Sequence, residues 1–123
     1  MTLFERLYWS EDEAIRLEGY RLQRQAKQDS LEAQLWVRGE IITIQGEGNG
    51  ALSAFIQALE RYFARRISVT NYAEHAMTQA TDAQAVAYVQ LFVENGLSTG
   101  IAYSRDTVSA MLRAALNAVV LAV

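Results

Sequence analysis

The chain has 123 residues, of which 51% are hydrophobic, and it contains neither cysteine nor proline. That length supports one ordinary hydrophobic core rather than two large ones, and the lack of cysteine excludes disulfides and thiolate chemistry. With a net charge of −3, the chain lacks the excess of basic residues that binding to the phosphate backbone of a nucleic acid requires. We therefore expect no nucleic-acid partner.

The first twelve residues, 1–12, combine acidic side chains with large apolar ones such as Phe4, Tyr8 and Trp9. We interpret them as an arm or the remnant of a connection to another domain, with the folded domain at 13–123. They lack the basic segment and apolar core of a signal peptide, and no stretch of the sequence reaches membrane-spanning length. We therefore expect a cytoplasmic protein with no membrane partner.

A first structural unit is predicted over residues 13–65. The segment Leu31–Val37 alternates apolar and polar residues, as a strand with one wet face does. Gly39 turns the chain back into a second alternating strand that contains Ile42 and Ile44. Apolar residues then recur at helical spacing from Leu52 to Phe63. A leading strand fits into residues 13–25, which makes the unit β-β-β-α.

A second unit over residues 66–123 repeats the first. Apolar residues alternate from Ala83 to Val93, and Asn95-Gly96 is a hairpin signal. Adding 56 to the apolar helix positions of the first unit gives those of the second, so that Leu52 corresponds to Val108 and Phe63 to Val119. A leading strand is predicted at Ile67–Met77.

These patterns predict an α+β fold in which two repeated β-β-β-α units pack together. A three-stranded sheet with one helix leaves apolar surface uncovered. We therefore expect the units to cover each other and the chain to form a homodimer.

The glycine-rich segment after the third strand has three possible roles. Gly46, Gly48 and Ala51 satisfy a permissive dinucleotide-binding pattern, which is meaningful only within a strand, helix and parallel-strand unit. The preceding strand comes instead from a predicted hairpin, and Glu47 adds a negative charge. The glycines would otherwise form a turn, or allow another group to approach the backbone closely.

Proton-transfer chemistry would depend on His75, the only histidine, with Glu74 and Tyr72 nearby. No further histidine, cysteine or nucleophilic partner accompanies it, so a structural role is favoured over catalysis. Strand alternation places Tyr72 and Ala76 on one face and His75 on the other. The scattered carboxylates match no metal-site spacing, and no metal site is predicted.

A small-molecule site made from backbone N–H groups and apolar side chains is also possible. Asn49, Gly50, Ala51 and Leu52 supply donors at the start of a helix. An apolar lining could come from the strand ends, at Val69, Tyr72, Ala76, Ala83 and Ile101. Each of these residues could equally belong to the core.

Several of these motifs together resemble the C-terminal regulatory domain of 2-isopropylmalate synthase, from about Ala14 to the end of the chain. They are "GEGNG" followed by Ala51-Leu52, "NYAEHAM" at Asn71–Met77, "TDAQA" at Thr81–Ala85, and "TGIA" leading into "TVSAMLRAALNAV". The resemblance implies a paired β-β-β-α fold that dimerises and binds leucine, the end product that inhibits the enzyme.

The resemblance also implies an effector site. The residues that match the family's leucine contacts are Asn49, Gly50, Leu52, Val69, Tyr72, Ala76, Ala83 and Ile101. One departure is Ala51, where the family commonly has proline, whose fixed φ would hold the start of the helix more tightly. The family's catalytic barrel, which holds a divalent metal and uses acetyl-CoA, has no counterpart in these 123 residues. We therefore expect no cofactor and no catalysis in this chain.

Three alternatives stay open from the sequence. The chain could be the equivalent domain of citramalate synthase, whose effector would be isoleucine, because one methylene changes binding in an apolar pocket by only about 1–3 kcal/mol. It could be a structural dimerisation module without a ligand. It could also be an enzyme that uses His75 and Glu74.

Overall fold

A computed structural model describes residues 15–77, 84–94 and 96–123 of the chain. It contains two successive β-β-β-α units, which confirms the predicted α+β fold; the predicted arm, residues 1–12, lies outside the described residues. The elements of the first unit are β1 (Ile15–Gln23), β2 (Asp29–Val37), β3 (Glu40–Gly48) and α1 (Ala51–Phe63). Those of the second are β4 (Ile67–Met77), β5 (Gln84–Val93), β6 (Gly96–Ser104) and α2 (Thr107–Ala122).

Each unit forms an antiparallel sheet whose strands lie in chain order, β1-β2-β3 and β4-β5-β6. Arg38 and Gly39, with φ of 49° and 95°, form the two-residue loop between β2 and β3. Positive φ at both positions matches the right-handed twist of the flanking strands. The second hairpin is shifted by one residue from its prediction. Val93 pairs with Gly96, so Gly96 is already in the strand.

The repeat is regular except at the leading strands. In both units the register shifts once, between Leu17 and Gly19 in β1 and between Val69 and Asn71 in β4. Leu17 pairs with Leu35 and Val69 pairs with Leu91. The β2 and β5 partners lie 56 residues apart and the leading-strand residues 52 apart, so the hairpin of the first two strands, counted with its strand ends, is four residues longer in the second unit.

The hydrophobic core lies between each sheet and its helix. Alternate residues of β2, among them Leu31 and Leu35, are buried, as is Phe55 of α1. In the second unit, Leu91 of β5 and Leu112 of α2 are buried in the same way. The helices contact each other, α1 also contacts β4, and α2 also contacts β1. Each unit therefore covers part of the other, as predicted.

Two glycines set how closely the helices lie on the sheets. A Cβ on Gly46 would lie 2.6 Å from the backbone nitrogen of Ala58, and one on Gly100 would lie 2.8 Å from that of Ala118. Both distances are shorter than real Cβ contacts. The absence of a side chain at these strand positions therefore allows each helix backbone to rest directly on its sheet.

Candidate functional site

The glycine-rich segment joins β3 to α1, and its three glycines have two different roles. Gly46 and Gly48 lie under the helix: a Cβ on Gly48 would be 2.7 Å from that of Ser53. Gly50 has φ 110° and ψ 170°, a backbone conformation that residues with a side chain rarely adopt. A Cβ there would have no neighbour within 4 Å. Helix packing thus explains two of the glycines, and β3 belongs to an antiparallel sheet. The dinucleotide-binding unit is not formed.

The N-terminus of α1 has unpaired donors. The Gly50 carbonyl accepts the N–H of Ala54 at 3.1 Å, and among the described residues no side chain caps the helix. The N–H groups of Ala51, Leu52 and Ser53 lack an acceptor within the helix, since a helix provides none for its first turn. The first turn carries no acidic residue. This end of the helix therefore presents donors and a partial positive charge.

The N-terminus of α2 is closed by a carboxylate. The Asp106 carboxylate accepts the backbone N–H groups of Val108 and Ser109, each at 3.2 Å, and the Ser109 hydroxyl at 2.9 Å. The Tyr20 hydroxyl, which belongs to β1 of the other unit, donates to it at 2.7 Å. The Tyr20 hydrogen bond is the main reason that the pKa of Asp106 is lowered. Burial, together with Asp106, raises the pKa of Tyr20.

The repeat relates these two helix ends residue by residue. Subtracting 56 from Asp106 gives Gly50, and subtracting it from Val108 gives Leu52. Tyr20 and Tyr72 correspond across the leading strands, because their partners Ala33 and Val89 are also 56 residues apart. The first helix end therefore has the same donors, and its neighbouring strand has the same tyrosine. Only the carboxylate is replaced, by a glycine.

The predicted lining residues of β4 lie on a strand that contacts α1. Val69 pairs with Leu91 and Tyr72 with Val89, both buried, so both point to the helix side of the sheet. The Tyr72 side chain is 55% exposed. Glu74 follows on the same side, opposite the buried Ala87.

Three predicted positions are described only in part or not at all. Ala76 pairs with Ala85 and belongs to the same set of alternate positions as Tyr72. His75 pairs with Val86 and belongs to the other set. These pairings agree with the predicted alternation, although the side chains of His75 and Ala76 lie outside the described part of the structure. Ala83 lies outside it entirely.

Ile101 is separated from the other predicted residues. Its neighbour Gly100 faces α2, so Ile101 points to the opposite side of the sheet, where it pairs with Tyr88. Within one chain, the structure therefore brings Asn49, Gly50 and Leu52 together at the start of α1. It places Val69 and Tyr72 on the adjoining strand and leaves Ile101 on the far face. Their role in binding stays a prediction.

Other candidate sites lie elsewhere or are not formed. A polar groove of about 290 Å³ opens beside Arg21, Glu32 and Arg61, and none of the predicted site residues lines it. Within residues 15–77, 84–94 and 96–123, no group of three or more acidic, histidine or cysteine side chains could hold a metal. No helix in those same ranges is long and apolar enough to cross a membrane.

Neither Tyr20 nor Asp106 is predicted from the sequence to lie at a site. An aspartate directly before a helical pattern is a capping signal, and "RDTVSAML" contains it. The tyrosine equivalence carries no such signal, because the leading strands repeat at 52 residues and the rest of the unit at 56.

Comparison with known proteins agrees with the motifs. The family model of the LeuA allosteric (dimerisation) domain matches residues 1–123. The 2-isopropylmalate synthase of Mycobacterium leprae is 40% identical over 90 residues, which cover 73% of this chain and 15% of that protein. Those of Thermobifida fusca and Brucella suis are 38% and 35% identical over 89 and 88 residues.

In both of these latter cases the match covers 72% of this chain and 16% of the relative. The chain therefore spans about a sixth of the length of the curated relatives it matches. The resemblance drawn from the glycine-loop, strand and helix motifs is confirmed over the whole chain. The chain belongs to the family of LeuA allosteric (dimerisation) domains.

Proposed function

We propose that this chain is the leucine-sensing and pairing part of a cytoplasmic 2-isopropylmalate synthase. It binds leucine, associates with a second copy of itself, and regulates a catalytic barrel carried by the rest of the enzyme. The family description supports allostery and dimerisation. Relatives named 2-isopropylmalate synthase favour leucine over isoleucine as the effector.

The observation that carries leucine binding is the difference between the two helix ends. At α2, a carboxylate accepts two backbone N–H groups and a tyrosine hydroxyl. At α1, the equivalent N–H groups of Leu52 and Ser53 have no such partner among the described residues, and Tyr72 holds the position equivalent to that of Tyr20. The carboxylate of a free amino acid would take the position that Asp106 fills in the other unit. Hydrogen bonds to a charged group of this kind are worth about 1.5–3 kcal/mol each.

The remaining groups of leucine have complementary surroundings. The half-buried side chains of Leu52 and Val69 offer an apolar surface to the isobutyl group. Glu74 lies on the same side of β4 as Tyr72 and is exposed. Its carboxylate supplies a counter-charge for the ammonium group. A zwitterion with an apolar side chain therefore fits this location better than a phosphate, which Glu74 would repel.

Leucine at this position would touch both units, because α1 belongs to the first and β4 to the second. It would stabilise the arrangement of the units in which both sets of contacts form. An effector shifts a conformational equilibrium only through its different affinities for the two states. Contacts that bridge the units provide such a difference.

A substitution at Gly50 tests the proposal. An aspartate there would place a carboxylate on the N–H groups of Leu52 and Ser53, as Asp106 does on its own helix, and would exclude the carboxylate of leucine. Gly50→Asp should fold and pair normally and bind leucine at least about 100-fold more weakly.

Gly50→Ala is the matched control, since it carries the same positive-φ strain without the carboxylate. Calorimetric titration with leucine measures both variants. Unchanged leucine affinity in a folded Gly50→Asp variant would contradict the proposed site. An equal loss in both variants would assign the effect to backbone strain instead of competition for the donors.

A further inference from the structure

The side of the second sheet that faces away from α2 is an apolar surface. Three cross-strand pairs supply its apolar side chains, Val86 with Tyr103, Tyr88 with Ile101, and Phe92 with Leu97, and the pair Gln90 with Thr99 lies between the last two. Leu97 is 63% exposed, and Phe92 and Tyr103 are about 40% exposed. We call these six residues the outer face of the second sheet. Contiguous exposed apolar side chains of this kind mark interaction surfaces.

The polar side chains of Thr70, Gln90 and Thr99, which lie beside these pairs, are hydrogen-bonded to one another. The Thr70 hydroxyl donates to Oε1 of Gln90 at 2.9 Å, and Nε2 of Gln90 donates to the Thr99 hydroxyl at 3.5 Å. Because these groups satisfy one another, covering them would leave few hydrogen bonds to water unreplaced. None of the described residues of β5 and β6 on this side is charged.

The equivalent side of the first sheet is different. Arg16 pairs with Glu18 at 2.8 Å, and its guanidinium lies 4.3 Å from the centre of the Trp36 ring. Arg21 and Glu32 lie opposite each other on the same side. Ile41 is exposed on the same side and pairs with Trp36, over which the Arg16 guanidinium lies. Burying that side would require the desolvation of several charges.

We propose that a second copy of this chain pairs through the outer face of the second sheet. This inference rests on the proposed pairing function and names the surface that performs it. In a twofold dimer the same patch meets itself. An uncharged apolar patch can do so without opposing like charges, whereas the charged side of the first sheet cannot.

Pairing through this face also gives a role to Ile101. That residue lies on the opposite side of the sheet from Val69 and Tyr72 and is therefore not explained by a site at those residues. Ile101 packs in the middle of the outer face, so it contributes to the contact between chains. Substitution of Ile101 therefore changes the stability of the dimer, and it affects leucine binding only through the assembly.

The repeat provides a matched pair of variants. Leu97 and Ile41 occupy equivalent positions 56 residues apart. Each is the second residue of its strand and lies on the outer side of its sheet, and they are 63% and 57% exposed. Sedimentation velocity of the whole chain over a wide concentration range, with wild type, Leu97→Arg and Ile41→Arg, measures the dimer dissociation constant. Phe92→Arg serves as a second variant on the same face, and circular dichroism verifies that each variant is folded.

We expect a wild-type dimer whose dissociation constant rises at least about 30-fold in Leu97→Arg and Phe92→Arg. Ile41→Arg should leave it unchanged. A wild-type dimer that both folded outer-face variants preserve would overturn this inference and leave the proposed pairing intact. A larger effect of Ile41→Arg would also overturn it. A wild-type monomer at every concentration would remove the pairing function itself, while leucine binding would still be measured separately.

Discussion

The N-termini of α1 and α2 differ at one residue. Asp106 gives α2 an internal carboxylate, and Gly50 leaves the equivalent donors of α1 without one. The backbone differs accordingly, since Asp106 is extended with φ −109° while Gly50 has φ 110°. The same local fold thus builds a closed helix end in one unit and an open one in the other. The open end is the one whose residues are predicted, from the family resemblance, to contact the effector.

The pH dependence of stability should report the Asp106 carboxylate. Its pKa is lower in the folded chain than its ordinary value of about 3.9. The stabilising contribution is therefore fully present above that value and is lost as the pH falls through the folded pKa. The pKa of Tyr20 is raised above its ordinary value of about 10, so its hydroxyl keeps its proton throughout the acidic range in which Asp106 titrates.

The measurement is urea unfolding of wild type, Asp106→Asn and Asp106→Ala between pH 3 and 7. At neutral pH, Asp106→Ala should cost about 1 kcal/mol, as the loss of an N-cap does. Asp106→Asn keeps a capping oxygen and should cost less. The difference between wild type and Asp106→Asn should shrink as the pH falls below about 4. A difference that stays constant from pH 7 to pH 3 would show that the charge of Asp106 contributes nothing.

At the scale of elements, the sequence predicts most of the fold because apolar residues occupy every second position of β2 and β5 and recur at helical spacing in α1 and α2. The leading strands are harder to align. Each contains a register shift, at Leu17–Gly19 and Val69–Asn71, which interrupts the alternation. The four extra residues of the β4–β5 hairpin then hide the correspondence of Tyr20 with Tyr72.

The candidate site is less accessible to sequence reasoning than the fold. Motifs identify the glycine loop, but they do not show that Gly46 and Gly48 serve helix packing while Gly50 alone lies at the helix end. That distinction depends on atoms of Ser53 and Ala58, whose proximity appears only in three dimensions. Ile101 lies on the far side of its sheet for the same kind of reason, since a strand's exposed and covered sides are set by what packs on them.

Close packing of helix on sheet makes its own prediction in β6. Gly100→Ala would force a methyl group against the backbone of α2 near Ala114 and Ala118. Backbone cannot yield as a flexible side chain does, so we expect a loss of about 3 kcal/mol in the free energy of unfolding. Gly96→Ala is the control in the same strand, because a Cβ there meets nothing within 4 Å.

Chemical denaturation of the two variants gives the comparison. Gly96→Ala should change the free energy of unfolding by less than about 1 kcal/mol. Similar stability of the two variants would mean that α2 can move away from its sheet without cost, contrary to the packing described here.

At the scale of the whole molecule, the two units are coupled through the helix ends. Tyr20 of β1 reaches Asp106 at the start of α2, and this fixed contact ties the first unit to the second. The contact between α1 and β4 lacks the equivalent carboxylate, so a ligand can complete it. Leucine would then make the molecule symmetric by supplying the second tie. The proposed effector site includes β4, and the outer face lies on β5 and β6 of the same sheet, so this sheet would connect ligand binding to pairing.

Calorimetric titration of the intact chain with leucine tests this account most directly. The account predicts one leucine per chain, because Asp106 already occupies the second helix end. It also predicts that 3-methylbutylamine, which has the isobutyl and ammonium groups of leucine but no carboxylate, binds at least about 100-fold more weakly. No binding of leucine, two leucines per chain, or equal affinity for the amine would contradict it.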